Sequence, residues 1–177
     1  MARKAGLYII PFLLMLTGCA QTKIWTSKPG IQTADSQYCH IELEPMKDIN
    51  NFFVWFRLSM INKTDKNLEI DWNKTRYLHN GRNLGVFVFE GINPENVKNM
   101  TVPPEVVPGG STFSKQIAPF RLVAWAPLRD QSVAIGTNRI NPGLIPAGES
   151  GIYLVVRQNG ETLHETVTVV IEEVVAP

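Results

Sequence analysis

The feature that most limits the fold of this chain is an alternation of apolar and polar side chains with a period of two. It is clearest from Phe52 to Ile61, where Phe52, Val54, Phe56, Leu58 and Met60 share one face. The other face is mixed, holding Arg57 and Ser59 but also Phe53 and Trp55. Successive side chains of a strand point to opposite faces, so this pattern predicts a strand with one face in a core. The same period recurs from Tyr38 to Glu44, with Pro45 as its stop, and from Leu68 to Trp72, with Glu69, Asp71 and Asn73 outward. It appears again near the end, where Leu163, Val167, Val169 and Ile171 oppose Thr162, His164, Thr166 and Thr168. No long segment has the 3.6-residue period of a helix.

Turn chemistry separates these runs. Asn62 to Asn67 holds residues that bond their own backbone, and Asn80-Gly81 and Asn159-Gly160 suit two-residue hairpin turns. A bulge near Asn73 to Thr75 carries the Leu68 strand on to Tyr77 and Leu78, and Leu84 to Phe89 reads as its return. Thr112 to Ala118 and Ile152 to Gln158 complete the clear strands, with weaker apolar segments at Phe120 to Leu128 and Ser132 to Ile135. Glu90 to Gly110 carries four prolines and reads as a long loop, with one helical turn capped by Asn93 and Pro94 first in it. It either presents a binding surface or crosses over the sheets. The expected fold is all-β: a single antiparallel β-sandwich of about eight strands.

The chain begins Met1-Ala2-Arg3-Lys4, followed by an apolar run from Leu7 to Leu16 interrupted by Pro11, then Thr17, Gly18 and Cys19. This is the charged, apolar and small-residue order of a secretory signal. The run is about half of the roughly 20 residues a spanning helix needs; an uncleaved signal anchor is the alternative. Leu16-Thr17-Gly18-Cys19 resembles the lipobox of bacterial lipoproteins. That resemblance implies lipidation of Cys19, cleavage before it and membrane attachment by lipid. Ala20, in place of a retaining aspartate, implies the outer membrane of the cell envelope, facing the periplasm. The expected organisation is a signal peptide over 1–18, a lipidated flexible tether over 19–37 and a β-sandwich over 38–177. Such a tether would span roughly 20–25 Å. Trp25 within it either rests at the lipid interface or docks on the domain.

Removing residues 1–18 takes Arg3 and Lys4 from 17 basic residues, leaving 15 against 16 acidic ones. A near-neutral chain without charge blocks argues against a nucleic-acid partner. With Cys19 assigned to lipid, Cys39 stands alone, and its apolar neighbours favour an inert buried thiol over an intermolecular partner.

The residues offer little chemistry. His40, His79 and His164 have no metal-ligand spacing. His40 shares a strand face with Glu42 and Glu44, which reads as a solvated face before it reads as an ion site. Gly148-Glu149-Ser150-Gly151 lacks nucleophile-elbow spacing, and Gly109-Gly110-Ser111 has no phosphate-binding lysine after it. Both read as turns that lead into strands, and Val106–Ser111 and Leu144–Ser150 as two equivalent turns of one sandwich. No catalytic residue, cofactor or metal is expected. Trp125 and Arg121, in the stretch Phe120-Arg121-Leu122-Val123-Ala124-Trp125-Ala126-Pro127, are candidate binding residues, because Trp and Arg anchor binding patches; Trp125 is equally suited to a core. His40 is the third candidate.

The order from Phe52 to Ser111 (strand, Asn-rich turn, strand with tyrosine, Asn-Gly, strand, long loop, Pro-Gly-Ser) resembles the water-stress type of Ig-like domain and other envelope Ig-like modules. It implies a fold and no activity. The function expected is a non-enzymatic binding or structural accessory held at the envelope, with an envelope protein as partner. Its alternatives are a carrier of a small molecule, glycan or metal ion and, more distantly, a hydrolase.

Overall fold

The computed structural model describes residues 23–123 and 141–176. Within them the chain forms two antiparallel sheets packed face to face, the all-β sandwich that the alternation predicts. Twelve strands are present among the described residues, more than the eight expected, because residues 23–28, 32–35 and 105–107, read as tether or loop, are strands and the expected Leu68–Leu78 strand is split in two.

The first sheet is built on the closing hairpin. β11 (Gly148–Gln158) pairs along its whole length with β12 (Glu161–Val175) around Asn159-Gly160. Both turn residues have positive φ, 51° and 83°, as a two-residue hairpin turn of this type requires. β1 (Lys23–Lys28) adds beyond β12, while β5 (Leu68–Ile70) and β6 (Arg76–His79) both pair with β11. β7 (Arg82–Asn83) extends from β6, and β9 (Glu105–Val107) borders β5. The second sheet has the order β2 (Gln32–Asp35), β3 (Cys39–Lys47), β4 (Phe53–Asn62), β10 (Thr112–Pro119), β8 (Phe87–Val88).

The core lies where the inner faces meet. Ile41, Leu43, Phe56, Leu58, Met60 and Ile117 come from one sheet; Leu68, Ile70, Ile152, Leu154, Val167, Val169 and Ile171 come from the other. Each is buried, and burying one such side chain stabilises by about 1.5–3 kcal/mol.

Four expectations are corrected. Residues 23–28 and 32–35, read as flexible tether, are strands β1 and β2. Their short polar sequences carry no alternation; they are ordered by the ladders that β12 and β3 offer them. Pro45 does not end β3, because β2 stops opposite Leu43 and leaves the proline on an open edge, where a strand tolerates it. Leu84 to Phe89 is not one return strand. The chain leaves β7, turns at Gly85 (φ 108°) and crosses to the other sheet as β8 beside β10. Asp71, expected outward, is buried and is held by Arg157 at 2.9 Å.

The Glu90–Gly110 segment is folded onto the sandwich. Asn93 caps α1 (Pro94–Lys98) by accepting from the Glu95 N–H, as predicted. Ile92, Val97, Val102 and Val107 are buried against the core, so the segment crosses over the sheets. Beneath it the Lys115 ammonium lies 4.2 Å from the Phe89 ring centroid and pairs with Glu105. The two similar turns, Val106–Ser111 and Leu144–Ser150, lead into strands of different sheets at opposite ends of the sandwich.

Candidate functional site

The ends of the sandwich differ in chemistry. The Lys66 end gathers the turns 36–38, 62–67, 108–111 and 158–160. Asn62 is its hub. Its buried amide donates to the carbonyls of Lys66 (2.7 Å), Val107 (3.0 Å) and Pro108 (3.1 Å), and its Oδ1 accepts from the N–H and hydroxyl of Thr64. Gln158 joins the second hairpin turn to the first by donating to the Thr64 hydroxyl at 2.7 Å. The two turns thus form the rigid walls of an open cleft of about 640 Å³, lined by Asp65, Lys66, Asn67, Glu69, Arg157, Gln158, Asn159 and Gly160. Its lining is polar and carries both signs of charge. Arg157 spends one guanidinium nitrogen on Asp71, while among the described residues its shielded Nε has no partner.

His40 lies at the same end, on the outer face of β3. Its Nδ1 is 3.0 Å from Asp35 and its Nε2 is 3.4 Å from Glu42. Asp35 also receives the Lys63 ammonium, which together with His40 pulls its carboxyl below the ordinary value. Glu44 is engaged by Arg57 at 2.9 Å, apart from His40 and Glu42. No group of three or more ligating side chains is arranged for a metal ion among the described residues. Cys39, adjacent in sequence, is buried and unpaired. Burial pushes its thiol pKa up, against the weaker pull of Ser36.

Toward the other end the β6–β11 register sets His79 opposite Ser150 and Tyr77 opposite Ile152. Ser150 Oγ lies 3.0 Å from His79 Nδ1 and 3.2 Å from the Tyr77 hydroxyl, and Asn80 Nδ2 is 3.2 Å from His79 Nε2. The sequence carries no signal for this grouping, because 71 residues separate His79 from Ser150. It has the composition of a Ser-His-Asn triad and the wiring of something else. Asn80 Oδ1 accepts the Glu149 N–H at 2.9 Å, which turns its amide nitrogen toward His79 Nε2 as a donor. In that arrangement Nε2 is the acceptor, which in the neutral ring leaves the N–H on Nδ1, facing the serine. A general base needs a lone pair at that position. Ser150 and Tyr77 are also fully buried, and burial raises the Tyr77 pKa. The group is a satisfied polar network that fixes β6 on β11.

The predicted binding residues are not brought together. His40 is at the Lys66 end. Arg121 is exposed on the 3₁₀ turn Phe120–Leu122 that follows β10, toward the opposite end. Trp125 and Cys19 lie outside the described residues. Among the described residues, no helix is long and apolar enough to cross a membrane. No family model, curated protein or solved structure matches the chain, so its functional reading rests on this geometry.

Proposed function

We propose that the protein is a lipid-anchored module of a bacterial envelope that works by binding, without catalysis. The lipobox-like stretch at Leu16–Cys19 supports the anchor, and Ala20 after it supports the periplasmic, outer-membrane address. The mixed-charge cleft at the Lys66 end is the observation that carries the binding role. Strand β1 starts four residues after Cys19 at the opposite end, so the anchor leaves that cleft facing away from the membrane. Small-molecule sites are mostly apolar, whereas an open cleft lined by Lys66, Glu69 and Arg157 suits a polar surface of a protein partner. The donor orientation of His79 supports a reading without hydrolysis.

The test is capture from detergent-solubilised envelopes by the intact lipoprotein, its Asp65→Ala/Lys66→Ala variant and an anchor-only control. A species held by the intact protein and reduced severalfold by the double variant is the expected result. Equal recovery on all three would contradict it. The cleft volume also falls among those of small-ligand sites, which favours a polar-ligand carrier as the second reading. A rise in melting midpoint with a sugar or small anion, lost in the double variant, would select it.

A further inference from the structure

The Lys23 end of the sandwich carries exposed apolar side chains among polar ones such as Lys23, Asp48, Asn50 and Asn51, where the cleft at the opposite end is lined by polar and charged ones. Five of the ten exposed large hydrophobic residues among those described lie there: Ile24, Ile49, Phe52, Leu144 and Val175. Strand pairing, a ring contact and two backbone hydrogen bonds bring their segments together. Ile24 and Val175 belong to the paired strands β1 and β12. The Trp25 ring meets Phe52 edge-on at 6.0 Å. Ile49 sits in the turn closed by the Asp48 N–H to Phe52 carbonyl bond, and Leu144 precedes Ile145, whose N–H donates to Phe53. Ile49 is 97% exposed at the tip of that turn, a place where polar residues serve the fold better. Single exposed apolar residues need no explanation, but a contiguous group marks a contact surface. Lys47 and Arg121 flank the group and are exposed.

The length of chain before β1 says what covers this end. Only Ala20, Gln21 and Thr22 separate Cys19 from Lys23. Fully extended, the four links from Cys19 to Lys23 reach at most about 14 Å. The flexible span of roughly 20–25 Å that a longer tether would provide is therefore not available. We infer that the Lys23 end docks on the bilayer that holds the anchor, with Ile49 and Phe52 entering the headgroup boundary and Lys47 and Arg121 meeting lipid phosphates. Attachment then rests on two signals, the acyl chains and the apolar tip, and the domain is oriented, not free to swing. The inference depends on the lipid anchor at Cys19.

The experiment uses the mature lipidated chain in vesicles of phosphatidylethanolamine and phosphatidylglycerol, with and without brominated acyl chains. One fluorophore is placed through Asn50→Cys beside Ile49, another through Lys66→Cys at the far end; Cys39 is buried and remains unlabelled. Bromolipid should quench the label at position 50 severalfold more than the label at 66. Adding Ile49→Ser and Phe52→Ser should abolish that difference while the circular dichroism spectrum shows the sandwich still folded. Equal, weak quenching at both positions in protein that floats with the vesicles overturns docking and leaves the anchor intact. Self-quenching at position 50 that disappears on dilution with unlabelled protein, without bromolipid quenching, assigns the tip to a second copy and also overturns it. Protein whose Cys19 carries no lipid mass and which does not float removes both the anchor and the docking that depends on it.

Discussion

At the residue scale the fold leans on a few positions whose roles are geometric. A Cβ at Gly151 would overlap the Val167 carbonyl oxygen across the β11–β12 pair. Gly151→Ala should therefore destabilise by about 1–3 kcal/mol, the usual cost of overpacking, measured by denaturant unfolding. Asn62 is the converse case, a buried polar side chain that satisfies three carbonyls. Asn62→Ala should cost about 2–4 kcal/mol in the same assay, more than one hydrogen bond, because acceptors are left unpaired. Asp48 gives a pH signature. Its carboxylate accepts the N–H groups of Asn50 and Phe52, and the bond from Phe52 is the main reason its pKa lies below the ordinary 3.8. A carboxyl held low stabilises the fold above its unfolded-state pKa, and that contribution disappears as pH falls through the folded value. Unfolding midpoints should hold steady above the ordinary carboxylate range and drop below it. Asp48→Asn, which keeps an acceptor but cannot titrate, should show a shallower drop. None of these roles is visible in composition. Asn62 and Asp48 read as ordinary turn residues, and two of the three carbonyls that make Asn62 a hub, those of Val107 and Pro108, arrive from 45 and 46 residues downstream.

At the element scale the legible parts are those whose own side chains specify them. The alternation in β4 and β12, the capped turn of α1 and both Asn-Gly hairpins were readable because each signal is local. Phe52 marks the limit of the period: it falls on the core parity yet stays exposed, while Phe53 is buried in its place at the start of β4. The strands that escaped are those formed by recruitment. β1, with the sequence Lys-Ile-Trp-Thr-Ser-Lys, has no alternation, and its order comes from β12 and from Trp25 packed on the core. Hydrogen exchange tests this directly. Amides of β1 that bond to β12 should be protected far beyond those of a free tether, and Trp25→Ala should release that protection at a global cost of about 1–2 kcal/mol. Free-tether exchange rates in β1 would contradict the ladder. The crossing from β7 to β8 was illegible for a similar reason. The apolar run Val86–Phe89 fits either sheet, and Gly85 alone hints at a change of direction.

At the scale of the whole molecule, the candidate site was the least readable part. His40, Arg121 and Trp125 were chosen one at a time as residue types, whereas the two surfaces that distinguish this sandwich are collective. The charged cleft is assembled from two turns about 90 residues apart, and the apolar tip from β1, the 48–52 turn, the 144 region and the end of β12. The opposition between them gives the molecule a direction: apolar tip at the Lys23 end, polar cleft at the other. That direction has meaning only if Cys19 carries lipid. The most direct test is therefore intact mass and N-terminal sequence of the protein extracted from envelopes, beside a Cys19→Ser variant. The account predicts a chain that starts at Cys19 with diacylglycerol and acyl mass added, and a variant that is either uncleaved or released from the membrane. A chain starting at Met1, or a mature chain with an unmodified Cys19 that stays membrane-bound, would contradict it.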